Sequence, residues 1–265
     1  MIGQEKLLKQ LNNYTLDTFP RSSILLGEKG SGKHTVCEYI KDNILKLPLI
    51  NITEDISDEY LEELYLNPSP NIYVIDMSLM TEKKQNVMLK FIEEPMNTSF
   101  IIILCENRNL ALNTVLNRCL IFELDTYKKE ELSMFLPDGV ENKELMLNVL
   151  NTPGKLLSID TSKFEELYNL CGLIVNKIQV ASYPNTLTIL DKLNLKDEPE
   201  KFDLDLFFDT LLYCFNQAYI INRNKLYVDL YLYCLESRKK LIDKRLNKQN
   251  FMLNFLTVLW RKVRN

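Results

Sequence analysis

Residues Ser23–His34 read SILLGEKGSGKH. The apolar run Ser23–Leu26 is the length of one buried strand, and Gly27, Gly30 and Gly32 follow it at once. After them TVCEYIKDNIL, Thr35 to Leu45, has the apolar spacing of an amphipathic helix. Strand, glycine loop and helix in that order make a cradle for an anion, because loop and first-turn N–H groups converge on it while the Lys33 ammonium reaches the outer phosphates. Three of the chain's 7 glycines fall in this one loop. Gly27-x4-Gly32-Lys33 matches the phosphate-binding pattern in all but its last position, where the Ser or Thr whose hydroxyl ligates magnesium is replaced by His34, with Thr35 one residue late. The expected nucleotide-contacting set is therefore Gly27, Gly30, Gly32, Lys33, His34 and Thr35, with ATP possible and magnesium binding weakened. His34 on its own reads as an exposed helix residue rather than a catalytic one, since catalysis requires a positioned partner.

Working outward, residues 2–12 carry Ile2, Leu7, Leu8 and Leu11 at helical spacing, and Asn12, Asn13 and Pro20 break the pattern. NIYVID, Asn71 to Asp76, is a β-branched run ending in a carboxylate. The next helix has Thr81 as N-cap, Val87, Met88, Phe91 and Ile92 as its apolar face, and Pro95 as its stop. SFIIILC, Ser99 to Cys105, and CLIFELD, Cys119 to Asp125, are two further strand runs. Strands alternating with helices predict a parallel sheet with right-handed crossovers. Beyond Asp125, residues 126–160 hold short helical segments broken by Pro137, Gly139 and Thr152–Gly154. From Thr161 long helical patterns dominate, interrupted near Tyr183–Pro184 and Asp197–Pro199. The predicted organisation is an α/β domain at 1–125, a small helical segment at 126–160 and a helical domain at 161–265.

Across 265 residues, 46% hydrophobic and 26% charged content excludes disorder. With 7 Gly and 9 Pro against 13 Tyr and 12 Phe, the turn-rich sandwiches and barrels are disfavoured. No apolar run has membrane-spanning length, and MIGQEKLLKQ lacks a signal-peptide core, so a cytoplasmic chain is expected. The 6 cysteines are scattered without a CxxC pair, and His34 is the single histidine, which predicts no zinc and no disulfide framework but buried thiols. Net charge −4 and pI near 5.3 argue against a broad basic nucleic-acid face. From Arg223 onward, however, 11 Lys or Arg stand against 3 Asp or Glu. This tail reads as a solvated helix face, with contact to DNA or an acidic partner as the alternative.

Asp76 sits where a metal-orienting carboxylate would, at the end of a strand, but the next residue is Met77 and no general base stands there. Phosphoryl transfer depends on positioning the attacking water, so the loss is serious. The alternative for Asp76 is a turn or helix cap.

QNVMLKFIEEP, Gln85 to Pro95, resembles the QNALLKTLEEP stretch of the bacterial DNA polymerase III clamp-loader subunits, a family of AAA+ ATPases. Asn107 follows at that family's sensor-1 position, and Asn117-Arg118-Cys119 stands in place of its Ser-Arg-Cys motif. NTPGKLL, Asn151 to Leu157, is similar to the Gly-Ser-Pro-Gly-Arg-Ala-Leu of the delta prime members and has Gly154 where the motor members have arginine. The resemblance covers residues 1 to about 160, and beyond that rests on helical character and a loose similarity around Lys248 to Leu259. It implies an AAA+ P-loop NTPase fold, a parallel sheet in three layers, followed by a helical lid and an all-α collar. It also implies that Arg118 is an arginine finger acting in trans on a neighbouring subunit's ATP, the alternative being a surface arginine paired with a local acid. Asp76 and Asn107 join the nucleotide-contacting set on the same grounds. No cysteine lies between Cys37 and Cys105, where the family often carries a zinc module.

The resemblance further implies a delta prime-like stator for loading the sliding clamp onto primed DNA in replication, with gamma/tau-like motor subunits and delta as partners and little ATPase of its own. LDLFFDTLLYCFNQAYII and NFMLNFLTVLWRKVRN would build the collar, with Tyr213, Phe215, Tyr219, Tyr227, Tyr231 and Tyr233 in its core or at subunit contacts rather than stacking bases. Two rivals stay open: a self-sufficient AAA+ motor using Thr35 or His34, and a degenerate AAA+ adaptor without a role in ATP chemistry.

Overall fold

A computed structural model of the chain describes residues 2–52, 69–94, 98–136, 139–140, 142–178, 202–242 and 247–264. Pro95, Pro137 and the breaks expected at Tyr183–Pro184 and Asp197–Pro199 lie outside the described residues.

Five parallel strands, β1 (Ser22–Leu26), β2 (Leu49–Ile52), β3 (Ile72–Asp76), β4 (Phe100–Cys105) and β5 (Leu120–Glu123), form one sheet in the order β2-β3-β4-β1-β5. Ile24 pairs with Ile103 on one side and Ile121 on the other, and Val74 pairs with Ile102. The central strands are apolar throughout because both faces are covered. On β4, Ile101, Ile103 and Cys105 face one layer and Phe100, Ile102 and Leu104 the other, as the twofold alternation of a strand demands.

The first layer is α3 (Glu82–Glu93), which lays Met88, Phe91 and Ile92 on Ile24, Ile75, Ile101 and Ile103. Thr81 caps it, its Oγ1 accepting from Lys84 N at 3.4 Å. The second layer is α1 (Glu5–Leu11) and α2 (Lys33–Ile40), whose Leu7, Leu11, Val36 and Ile40 meet Leu25, Val74 and Leu104. The expected three-layer arrangement is present. Each fully buried Leu, Ile or Phe in it contributes about 1.5–3 kcal/mol. A one-turn π-helix, Lys41–Leu45, extends α2, and short helices α4 (Asn113–Leu116) and α5 (Lys129–Ser133) flank β5.

Strand β2 was not among the predicted strands. It is a four-residue edge strand after Pro48, with Asn51 exposed and only Ile52 fully buried, so its apolar signal is short and mixed.

Contacts divide the chain into two units, Met1–Asp138 with Asn151–Ser158, and Gly139–Leu150 with Ile159–Asn265. Within residues 126–160, α6 (Lys143–Val149) belongs to the second unit and α7 (Pro153–Ser158) to the first. The second unit is helical, with α8 (Thr161–Lys177), α9 (Leu204–Asn222), α10 (Lys225–Lys239) and α11 (Lys248–Lys262). Asp160, Asp203, Asn224 and Asn247 cap these four helices through side-chain oxygens. Their core is Phe207, Phe208, Phe215, Leu230, Phe255 and their neighbours, with Phe208 and Phe255 edge to face at 4.9 Å. Tyr227 is buried in this core, and Tyr219, Tyr231 and Tyr233 pack against it. Among the described residues, no helix is long and apolar enough to cross a membrane.

Candidate functional site: a glycine loop closed by its own chain

The loop leaves β1 with Gly27 N donating to the Cys105 carbonyl at 3.0 Å, so it starts at the C-terminal edge of the sheet between β1 and β4. Gly30 and Gly32 take φ of 79° and 95°, which side chains with a Cβ rarely adopt, and Gly32 is the N-cap of α2. Lys33 opens that helix and turns back into the loop, donating to the carbonyls of Gly27 at 2.6 Å and Glu28 at 2.9 Å. Burial pushes its ammonium below the usual lysine range, and the carboxylates of Glu106, Asp76 and Glu28 work in the opposite direction. His34 and Thr35 are exposed on the first turn of the helix.

The segment Asn151–Gly154 closes over this loop. Thr152 Oγ1 donates to the Lys29 carbonyl at 2.9 Å, Gly154 N to the Gly30 carbonyl at 2.8 Å, and Asn151 Nδ2 to Glu28 at 2.6 Å. A Cβ on Gly154 would lie 2.5 Å from Gly30 Cα, so the two backbones approach this closely only because both residues are glycine. Where motor members of the resembled family have an arginine, this chain has the glycine that lets the loop be covered. Tyr127 adds a second contact, its hydroxyl donating to the Ser31 carbonyl at 2.8 Å.

Asp76 is half-buried at the end of β3, and its Oδ1 accepts from Ser78 N at 2.8 Å, the turn cap that was the alternative reading of this residue. Met77 is 1% exposed in the sheet core, so the position after Asp76 presents no base to the loop. Asn107 is exposed, and its Oδ1 accepts from Asn109 N at 3.0 Å, capping the turn Arg108–Leu110.

Arg118 follows α4 on the surface of the same unit. Its Nη1 donates to the Thr114 carbonyl at 2.9 Å and its Nε to Glu93. It is 39% exposed, and its ion pair with Glu93 is the local-acid arrangement that stood as the alternative to a finger. A pair this exposed contributes about 0–1 kcal/mol. Asn117 is exposed beside it, while burial pushes the Cys119 thiol up to about 12.

Two glutamines to which the sequence reading assigned no role hold these parts together. Gln85, 3% exposed, donates to the Leu110 carbonyl and accepts from Leu112 N, both at 2.8 Å, tying α3 to the segment that leads into α4. Gln4, fully buried, makes the same two-way amide pairing with the backbone of Asp125 at 2.9 Å. A polar residue amid an apolar helical face was their one visible signal.

Beside the loop lies a cavity of about 280 Å³, lined by loop residues, the ends of β1 and β5, Glu106, Tyr127, Asn151 and Thr152. Four of its lining side chains are carboxylates: Glu28, Glu106, Glu123 and Asp125. This donor set is a poor match to a magnesium-bound triphosphate. The cavity is acidic, Lys33 is committed to loop carbonyls, and His34 and Thr35 stand on the exposed turn. Among the described residues, no group of three or more His, Cys, Asp or Glu converges as a metal site.

A family model for the DNA polymerase III delta subunit matches residues 50–128. The DNA polymerase III subunit gamma of Buchnera aphidicola is 25% identical, over 51% of this chain and 47% of the relative. Subunit delta' of Haemophilus influenzae is 24% identical, over 42% of this chain and 35% of the relative. The chain therefore spans about half or less of the curated relatives it matches. The Thermotoga maritima RuvB Holliday junction branch migration motor has the same fold, with a TM-score of 0.50 at 19% identity, covering 83% of this chain and 78% of that one. With the sheet order, the glycine loop and the matched segment together, the chain is similar to subunits of the DNA polymerase III clamp loader, at low identity.

Proposed function

We propose that this chain is a delta prime-like stator: a clamp-loader subunit that turns over little or no ATP itself and supplies Arg118 to the ATP site of an adjacent motor subunit. The observation that carries the reading is the pairing of an exposed arginine in an Asn117-Arg118-Cys119 setting with a glycine loop whose lysine is bonded to loop carbonyls and which Asn151–Gly154 covers. Its own loop contributes no step, since Met77 replaces the base and the loop is closed by Asn151–Gly154. Arg118 would work through its guanidinium, a planar fork that can bridge oxygens of a transferring phosphoryl group and stabilise the charge spread over them. For that it must leave Glu93, an exchange of one exposed ion pair for another that costs little.

The partners under this reading are gamma/tau-like motor subunits and delta, with the sliding clamp and primed DNA reached through the assembly, in the cytoplasm. Residues 1–125 would be the AAA+ core, 126–160 the lid and 161–265 the collar that holds the ring together. Gly27, Gly30, Gly32, Lys33, His34, Thr35, Asp76 and Asn107 would then be the inherited outline of a nucleotide site rather than a working one.

The test is ATPase of the loader assembled from this chain, its candidate motor and delta subunits, clamp and primed DNA. Arg118→Ala is expected to depress the rate while leaving assembly, read by size-exclusion chromatography, intact. An unchanged rate removes the finger and favours the adaptor reading. Robust turnover by the isolated chain, abolished by Lys33→Ala, makes it a motor instead.

A further inference from the structure

Residues Lys248–Arg264 contain Lys248, Arg261, Lys262 and Arg264 and no Asp or Glu, in a chain whose net charge is −4. Met252, Phe255, Leu256 and Leu259 bury the inner side of α11 in the core of the second unit. Asn250, Asn254, Thr257, Arg261 and Arg264 follow one another at steps of four, three, four and three residues, so they line one side of the helix in a single row. Thr257 is half-buried and the other four are exposed. From Asn250 to Arg261 the row runs about 16 Å. Lys262 lies alongside α10, its ammonium 5.4 Å from the centre of the Tyr233 ring. The cations of this face also lack acid partners. Lys41, Arg108, Arg118, Lys163 and Arg238 each stand beside a carboxylate, whereas Arg261 and Lys262 stand in no salt bridge among the described residues. Arg261 and Arg264 are three residues apart, a spacing at which like charges repel. The negative end of the helix dipole accounts for cations in the last turn, but not for a row without one acid, since a solvated helix face ordinarily interleaves both signs.

The chemistry of a partner follows from the row. Its length suits an extended polyanion better than one small anion, and about 16 Å matches about five successive phosphates of one strand of a duplex. Amide and guanidinium N–H groups together are the donors that meet phosphate and sugar oxygens without reading bases. An acidic polypeptide calls for cations along the whole contact, but the row is neutral from Asn250 to Thr257. A single strand is held by bases stacking on exposed rings. On α11, Phe255 is buried, Phe251 is half-buried, and the half-buried Trp260 has the Arg264 guanidinium 4.1 Å above its ring. Arg264 is further anchored by donating to the Trp260 carbonyl at 3.1 Å and the Ile178 carbonyl at 3.4 Å. We propose that the outer face of α11 contacts the sugar-phosphate backbone of duplex DNA directly and without sequence preference. Arg261 and Lys262 meet phosphates, and Asn250 and Asn254 extend the contact along the strand. Nothing in this contact depends on Arg118, and an adaptor or a motor would carry the same face.

The test is fluorescence anisotropy of the full chain with two short DNA duplexes of unrelated sequence, the single strand of one of them and polyglutamate as separate labelled probes, over a range of salt concentrations. Both duplexes are expected to bind alike, with dissociation constants on the order of 10⁻⁴–10⁻⁶ M that weaken as salt rises. Arg261→Gln with Lys262→Gln should weaken duplex binding by about tenfold or more and lower the slope of log affinity against log salt by about one for each cation removed. Asn250→Asp with Asn254→Asp, which keeps both cations, should weaken duplex binding by a comparable factor through repulsion of the phosphates. Circular dichroism and the thermal midpoint of both variants should match wild type. Lys6→Gln with Lys9→Gln removes the same charge from the exposed side of α1 in the other unit and should leave the slope unchanged. No saturable duplex binding, a slope indifferent to the Arg261 and Lys262 substitutions in a folded protein, or an equal loss with the α1 pair overturns the proposal. Tighter binding of the single strand overturns it as well, and tighter binding of polyglutamate gives the face to an acidic polypeptide instead.

Discussion

The glycine loop and the corner that carries Arg118 belong to the same α/β unit and are built in opposite ways. In the loop, Lys33 is turned inward to the Gly27 and Glu28 carbonyls, and Asn151–Gly154 is bonded over Glu28, Lys29 and Gly30. At the corner, Arg118 is exposed and held by one equally exposed carboxylate. Closing the first required a contact between two glycines far apart in sequence; releasing the second requires only that a surface ion pair be exchanged. The difference teaches that within one unit a covered glycine loop and an accessible, lightly held arginine can stand side by side, and on the stator reading the chemistry would belong to the second.

The largest expected effect breaks the comparison at the corner. Arg118→Ala should lower hydrolysis at the neighbouring site by about 10³–10⁵, the range for an arginine supplied in trans, and Arg118→Lys should not restore it because an ammonium lacks the fork. Single-turnover hydrolysis by the assembled loader reads both. A loss under tenfold would put Arg118 outside the transition state.

Next in size is the loop. Gly154→Ala forces a Cβ to 2.5 Å from Gly30 Cα and should cost about 1–3 kcal/mol, measured as a shift in the urea midpoint at unchanged slope. A neutral outcome would show that Asn151–Gly154 is not seated on the loop in solution.

Both regions also keep a thiol shielded from water, the buried Cys37 in α2 behind the loop and the half-buried Cys119 beside Arg118, each pushed by burial from 9.0 up to about 12. Since the folded form holds these protons more tightly than the unfolded form, their contribution is complete below pH 9. It is lost as pH rises from there toward 12, at a slope on the order of 1 kcal/mol per pH unit for each thiol. Lys33, whose proton is held less tightly when folded, acts with the opposite sign below 10.5. Cys37→Ala and Cys119→Ala should each flatten the alkaline slope of the denaturation midpoint between pH 9 and 10.5.

Smallest is the corner's own stability. Glu93→Gln should change unfolding free energy by less than about 1 kcal/mol, because the pair it breaks is exposed. A larger cost would mean that Glu93 does more than hold Arg118.

The strands β1, β3, β4 and β5 were legible as apolar runs because burial on one or both faces leaves an unbroken hydrophobic signal, whereas the exposed edge strand β2 left none. The glycine loop was legible because positive φ confines residue choice at Gly30 and Gly32. What closes that loop was not. Thr152 meets Lys29 across 123 residues and Gln4 meets Asp125 across 121, and neither contact leaves a periodic or local trace. The same holds for the cavity, whose carboxylates come from the ends of two strands and from the loop. The role proposed for Arg118 rests on the resemblance of its neighbours, since an isolated arginine on a surface carries no signal of its own.

The most direct measurement is ATP turnover by this chain alone, by the reconstituted loader, and by the loader carrying Arg118→Ala, side by side at saturating ATP. The account predicts negligible turnover alone, full turnover in the assembly and a collapse of that turnover with Arg118→Ala in an intact complex. Turnover by the isolated chain at the rate of the assembly, or an assembly indifferent to Arg118, would contradict it.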